Sequence, residues 1–123
     1  MKIEIPGVDV ESGLNLCDGD TDVYLNILRL FVSDMIKALD KVRNVSEETM
    51  WDYSVSVHTI KSVSQAIGAE EARKTAKHLE ELAKNGDLTG IKAKNDVFVR
   101  YADNLVESVQ AWLAKYDAAE RIQ

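Results

Sequence analysis

The sequence predicts an all-α fold, an antiparallel four-helix bundle with a short additional N-terminal helix. Three observations carry this. Four long stretches repeat apolar residues at spacings of three and four, the period of a helix with one buried face. No stretch alternates apolar and polar residues as a half-buried strand would. The connections are short and polar or glycine-bearing, which suits antiparallel neighbours. Residues 1–123 together read as one domain.

Taken in order, residues 1–7 form an irregular lead-in ending at Pro6-Gly7. Asp9 is placed to cap a short helix running to about Cys17, with Gly19 just beyond its end. Asp20 or Thr21 then caps a long helix whose core stripe is Leu25, Leu28, Phe31, Val32, Met35, Leu39 and Val42. Val23, Ile27 and Leu30 lie off that stripe. The simpler expectation is that the short first helix covers them; the alternative is an apolar docking surface. Asn44 to Glu48 is a polar connection, and Thr49 is positioned to cap the next helix.

That helix and its successor, from Trp51 to Gly86, organise the chain. Ser56, Ile60, Val63 and Ile67 fall on one face, toward a core, while His58, Lys61, Ser62 and Gln65 share the other. Gly68 suits a helix end, and Glu70 to Lys84 restart with Ala72, Ala76, Leu79 and Ala83 as the apolar stripe. In an antiparallel hairpin about Ala69, positions 58 and 80 lie level, each eleven residues from the turn. Glu80 stands there, on the flank of its helix's stripe, with Arg73, Lys77 and Lys84 along the same flank. The pattern predicts an exposed imidazole, a carboxylate within reach of it and cations nearby.

Asn85-Gly86-Asp87 stops this helix, and Leu88 to Ile91 reads as a turn of helix or a connector. The last helix is expected from about Lys92 to Asp117, with Phe98, Tyr101, Leu105, Val109, Trp112, Leu113 and Tyr116 on one side. Trp51 and Trp112 are most simply core or boundary aromatics. His78 points away from the His58 side of its helix and reads as solvated.

Composition excludes several classes. Hydrophobic content of 46% with 29% charged residues is that of a globular chain and not a disordered one. The formal charge of −6 argues against nucleic acid as the main partner, because phosphate backbones select basic surfaces. A single cysteine, Cys17, rules out an internal disulfide and stands at no recognisable metal-ligand spacing. No apolar run approaches a membrane span, and the first residues lack the apolar stretch of a signal peptide. A cytoplasmic location is expected. A nucleotide site is not, since no glycine-rich phosphate loop precedes a Lys-Ser or Lys-Thr pair.

His58-x-x-Lys61-Ser62, followed by Ile67-Gly68-Ala69 and then Leu79-Glu80, resembles the histidine-containing phosphotransfer (HPt) domains of bacterial multistep phosphorelays. The run from Val8 to Asp20, then Tyr24-Leu25-x-x-Leu28-x-x-Phe31, is similar to the usual lead-in of that family. The likeness covers nearly the whole chain. One position departs: the residue after the lysine is most often glycine in the family and here is Ser62, small enough to leave the imidazole approachable.

The resemblance implies a phosphorelay intermediate. His58 would accept a phosphoryl group from the aspartate of one response-regulator receiver domain and pass it reversibly to another. Neutral imidazole, with an unperturbed pKa of about 6.5, offers one nitrogen lone pair at cellular pH. A carboxylate accepting the proton of the other nitrogen fixes the tautomer and raises the basicity of the attacking one. Glu80 is assigned that role, and the phosphotransfer domain of chemotaxis kinases carries a glutamate at the corresponding place. Lys61 would screen the phosphoryl oxygens. Ser62 and Gln65 can donate hydrogen bonds to them, and Lys77 and Lys84 are candidate rim cations.

No catalytic activity of its own and no resident cofactor is expected; magnesium belongs to the partner receiver. A hybrid histidine kinase is a further implied partner. The alternative reading is a helical adaptor that binds a receiver or another signalling protein without carrying phosphate.

Overall fold

The computed structural model describes residues 2–122, the side chain of Ile122 excepted. Five helices and no strand appear among these residues: α1 Val10–Leu16, α2 Thr21–Val42, α3 Met50–Ile67, α4 Glu70–Lys84 and α5 Leu88–Ile122. Helices α2 to α5 pack in a ring of antiparallel neighbours, α2 on α3, α3 on α4, α4 on α5 and α5 back on α2, with α1 laid against α2 and α3. The expected bundle with a short leading helix is the observed fold.

The helix ends follow local chemistry. Asp9 accepts from the Ser12 amide and Asp20 from the Val23 amide, each satisfying an orphan donor of a first turn. Thr49 stands at the N-cap position of α3, but its hydroxyl bonds to Ser46 and not to the helix. The hydroxyl completes the turn that enters α3 instead of capping it. Gly68 ends α3 in the left-handed conformation (φ 88°), with its amide returned to Gln65. At the start of α5, Asp87 accepts from the Gly90 amide, so the helix begins at Leu88 and not near Lys92. Leu88 to Ile91 form its first turn, and Ile91 is in the core.

The core is built from the expected stripes. Leu25, Leu28, Phe31, Met35, Leu39 and Val42 of α2 are buried, as are Ser56, Ile60 and Ile67 of α3 and Phe98, Leu105, Val109 and Leu113 of α5. Val32, Val63, Trp112 and Tyr116 pack at its edge, the two aromatic rings stacked 5.5 Å apart. Tyr101 is partly open to solvent, since it sits at the rim of the α4/α5 groove. Three buried polar links were not foreseen. Tyr24 donates to the Ile67 carbonyl at 2.7 Å, Tyr53 to Asn95 at 2.8 Å, and the Asn95 amide to the Val42 carbonyl at 2.7 Å. Burial pushes the Tyr24 and Tyr53 phenols up, so both remain donors.

Two further expectations are corrected. The short first helix does not cover Val23 and Leu30, which are exposed, while Ile27 is half-buried. Gly13 of α1 sits instead over Tyr24 and Ile67, and the Asp9 amide donates to the Gly68 carbonyl. That contact fixes α1 at the α3/α4 turn. Trp51 is not a core or boundary aromatic: it is 77% exposed.

Candidate functional site

The site is set by the α3/α4 hairpin. Gly68 and Ala69 turn the chain within two residues, and α4 lays Ala72, Ala76, Leu79 and Ala83 against the core. Position 80 therefore arrives beside position 58, as the spacing requires. His58 Nδ1 and Glu80 Oε2 are 2.7 Å apart, and Lys61 Nζ donates to Oε1 at 2.7 Å. Lys84 Nζ lies 3.7 Å from Oε2.

Burial divides these groups by role. The His58 side chain is 57% exposed and that of Glu80 only 7%. The Lys61 side chain, at 24%, is more covered than its place on the solvent face suggests, because its ammonium folds back onto Glu80. Burial works against ionisation of Glu80, but the hydrogen bonds from Lys61 and His58 outweigh it and hold the carboxyl below its usual range. An ionised carboxylate has no proton to give. The proton in the 2.7 Å contact must then sit on Nδ1 of His58, which leaves the lone pair of the neutral ring on Nε2. Nε2 makes no hydrogen bond among the described residues. It is an oriented, open nucleophile.

Ser62 and Gln65 are exposed on the same face of α3, one and two turns beyond His58, and neither side chain is hydrogen-bonded among the described residues. Lys77 is exposed on α4 without an ion pair there. Arg73 does not join the group, since its guanidinium pairs with Glu70 in its own helix. His78 is exposed, as expected, and lines a separate groove of about 580 Å³ between α4 and α5 with Lys74, Lys94 and Tyr101.

The sequence reading passed over one part of the surroundings. A groove of about 450 Å³ runs from His58 between α3 and α4, lined by Met50, Trp51, Ser54, Val55, Ala83 and Lys84. Trp51 and Val55 precede His58 by seven and three residues, so helical period alone puts them on its face. The period places Trp51 beside His58 but does not say whether its ring is buried.

No protein-family model matches the chain, and no curated protein or solved structure is significantly similar to it. No helix among the described residues is long and apolar enough to cross a membrane.

Proposed function

We propose that the domain is a phosphorelay intermediate of the histidine phosphotransfer kind, taking a phosphoryl group from one receiver-domain aspartate and delivering it to another. One observation carries this reading. An exposed imidazole has its Nδ1 proton held at 2.7 Å by a buried carboxylate, whose other oxygen is neutralised by a lysine one helical turn along. A merely solvated surface histidine needs no buried anion to orient it.

The chemistry follows from the geometry. Nε2 attacks phosphorus in line with the departing aspartate oxygen, and Glu80 stabilises the ring as positive charge develops on it. The reacting phosphoryl group carries most of its charge on the equatorial oxygens, where Lys61 is one turn away and Ser62 and Gln65 are within the same exposed strip. Lys77 and Lys84 supply cations at the rim of a domain whose formal charge is −6. The donor's activation and its magnesium belong to the receiver. Flow in either direction requires that the phosphoryl groups on His58 and on the aspartate lie close in energy. A cytoplasmic location goes with this reading.

The test is incubation with a panel of phosphorylated receivers. The wild-type chain is expected to acquire acid-labile, base-stable phosphate, and His58→Gln to acquire none while keeping its helical circular dichroism. Binding to a receiver without transfer would decide instead for the phosphate-independent adaptor.

A further inference from the structure

Glu80 has three basic neighbours on two oxygens. Lys61 lies 2.7 Å from Oε1, His58 2.7 Å from Oε2 and Lys84 3.7 Å from Oε2. The last distance is an ion pair without a hydrogen bond. The two lysines also differ in freedom, since the side chain of Lys84 is 68% exposed and that of Lys61 24%. Lys61 is committed to the carboxylate. Lys84, one turn C-terminal to Glu80 on the same helix, stands in the favourable Glu-to-Lys orientation but one ångström short of contact.

The arrangement matters once His58 is phosphorylated, and in this it rests on the function proposed above. The Nε2 lone pair forms the N–P bond as the P–O bond to the donor aspartate breaks, and that electron pair leaves with the aspartate carboxylate. Nδ1 keeps its proton, so the ring becomes cationic while the phosphoryl group brings anionic oxygens beside it. Lys61, three residues along α3, is attracted to those oxygens. Its departure would strip Oε1 of its partner. The buried carboxylate would keep only the cationic ring on Oε2, and with fewer counter-charges it binds a proton more readily. A protonated Glu80 would hold Nδ1–H more weakly.

We infer that Lys84 is the reserve counter-ion of Glu80: as Lys61 turns to the phosphoryl group, Lys84 closes from 3.7 Å into hydrogen-bond contact. The carboxylate stays ionised through the cycle, and the imidazole keeps its orientation for the return transfer. Lys84 is then a positioning residue that acts through Glu80. No other ion pair to Glu80 occurs among the described residues.

The test follows the Glu80 carboxyl by carbon-13 NMR titration, with phosphoramidate as the phosphoryl donor so that no receiver is needed. In the free protein Lys84→Met leaves the titration near that of wild type, because Lys61 is in place. Combined with Lys61→Met, it raises the proton affinity of Glu80 about tenfold beyond the sum of the single variants. In the phosphorylated protein, kept at neutral pH because the phosphoryl group is lost in acid, Lys84→Met alone shifts the Glu80 carboxyl signal from its wild-type position, and Lys84→Arg restores it. Additive behaviour in the double variant would overturn the inference. So would a phosphorylated Lys84→Met protein that keeps the wild-type carboxyl signal but shows a shifted phosphorus-31 signal, which would put Lys84 on the phosphate. Failure of phosphoramidate to label His58 would count against the relay; the double variant in the free protein would still decide the role of Lys84.

Discussion

Replacing Glu80 with Gln keeps the shape of the site and removes one charge. Two contacts at 2.7 Å are affected, one from Lys61 and one from His58. A hydrogen bond to a charged group contributes roughly 1.5–3 kcal/mol and a neutral one about half that. The His58 contact is at a side chain more than half exposed and must be discounted for solvent screening, and an amide still accepts one of the two bonds. The net loss of stability is about 1–2 kcal/mol. In a chain of 123 residues this lowers Tm by roughly 3–8 °C, which leaves the domain folded at 25 °C. The same change removes the anion that stabilises the ring as it becomes cationic, worth about 1.4 kcal/mol or a tenfold slower transfer. Stopped-flow transfer from a phosphorylated receiver, paired with thermal melting, reads both. A normal rate with a lowered Tm would make Glu80 structural and refute the reasoning. The pH dependence supplies a second check. The folded carboxyl titrates below its unfolded value, so its stabilisation is complete above the unfolded value and disappears as pH falls through the folded one. The Tm difference between wild type and Glu80→Gln should therefore close in strong acid.

Three further perturbations probe the frame around the site. Gly13→Ala would put a Cβ 2.6 Å from the Ile67 carbonyl oxygen and 2.5 Å from the Tyr24 ring, so α1 must lift; a loss of about 1–3 kcal/mol in urea unfolding is expected, and an unchanged midpoint would mean that α1 yields freely. Asn95→Ala strands the Tyr53 hydroxyl and the Val42 carbonyl at about 2–4 kcal/mol, and adding Tyr53→Phe should cost less than it does in the wild type, with strict additivity contradicting a coupled network. Trp51→Ala should change stability by less than about 0.5 kcal/mol, given its exposure, yet raise KM for a phosphorylated receiver; a large stability loss would return Trp51 to the core.

The bundle was legible because burial imposes its own period. The stripes of α2 and α5, the glycine stop at Gly68 and the level pairing of positions 58 and 80 are consequences of helical geometry, and each reappears in the coordinates. What escaped were features that depend on which helix a flank meets. Val23 and Leu30 carry no mark in the sequence that says α1 stops short of them, since α1 is placed by a glycine contact at Tyr24 and Ile67. Thr49 has the chemistry of a cap, but Ser46 competes for its hydroxyl. Asn95 stands between Lys94 and Asp96 in α5, and only the tertiary fold brings Tyr53 and Val42 to it. Within the site, register put Glu80 level with His58, but it did not show that Lys61 folds back onto Glu80 or that Arg73 pairs with Glu70, because long side chains choose among acceptors that only packing defines.

Glu80 is the one charged residue buried among those described; the other buried polar residues are Ser56, Ser64 and Asn95. A bundle does not need such a charge, since a well-packed apolar side chain at the same place is commonly as stabilising or more so. Its position also depends on its neighbours. Three of the four apolar residues that α4 buries along this stretch are alanines, and small side chains permit a close approach of packed helices. Across that narrow seam a glutamate reaches an imidazole on the crest of α3 while staying out of water itself. Larger residues at 72, 76 or 83 would widen the seam and leave the carboxylate solvated, screened and free to turn away. The alanines, the buried carboxylate and the exposed ring thus form a single arrangement, in which one histidine nitrogen is held and the other stands open.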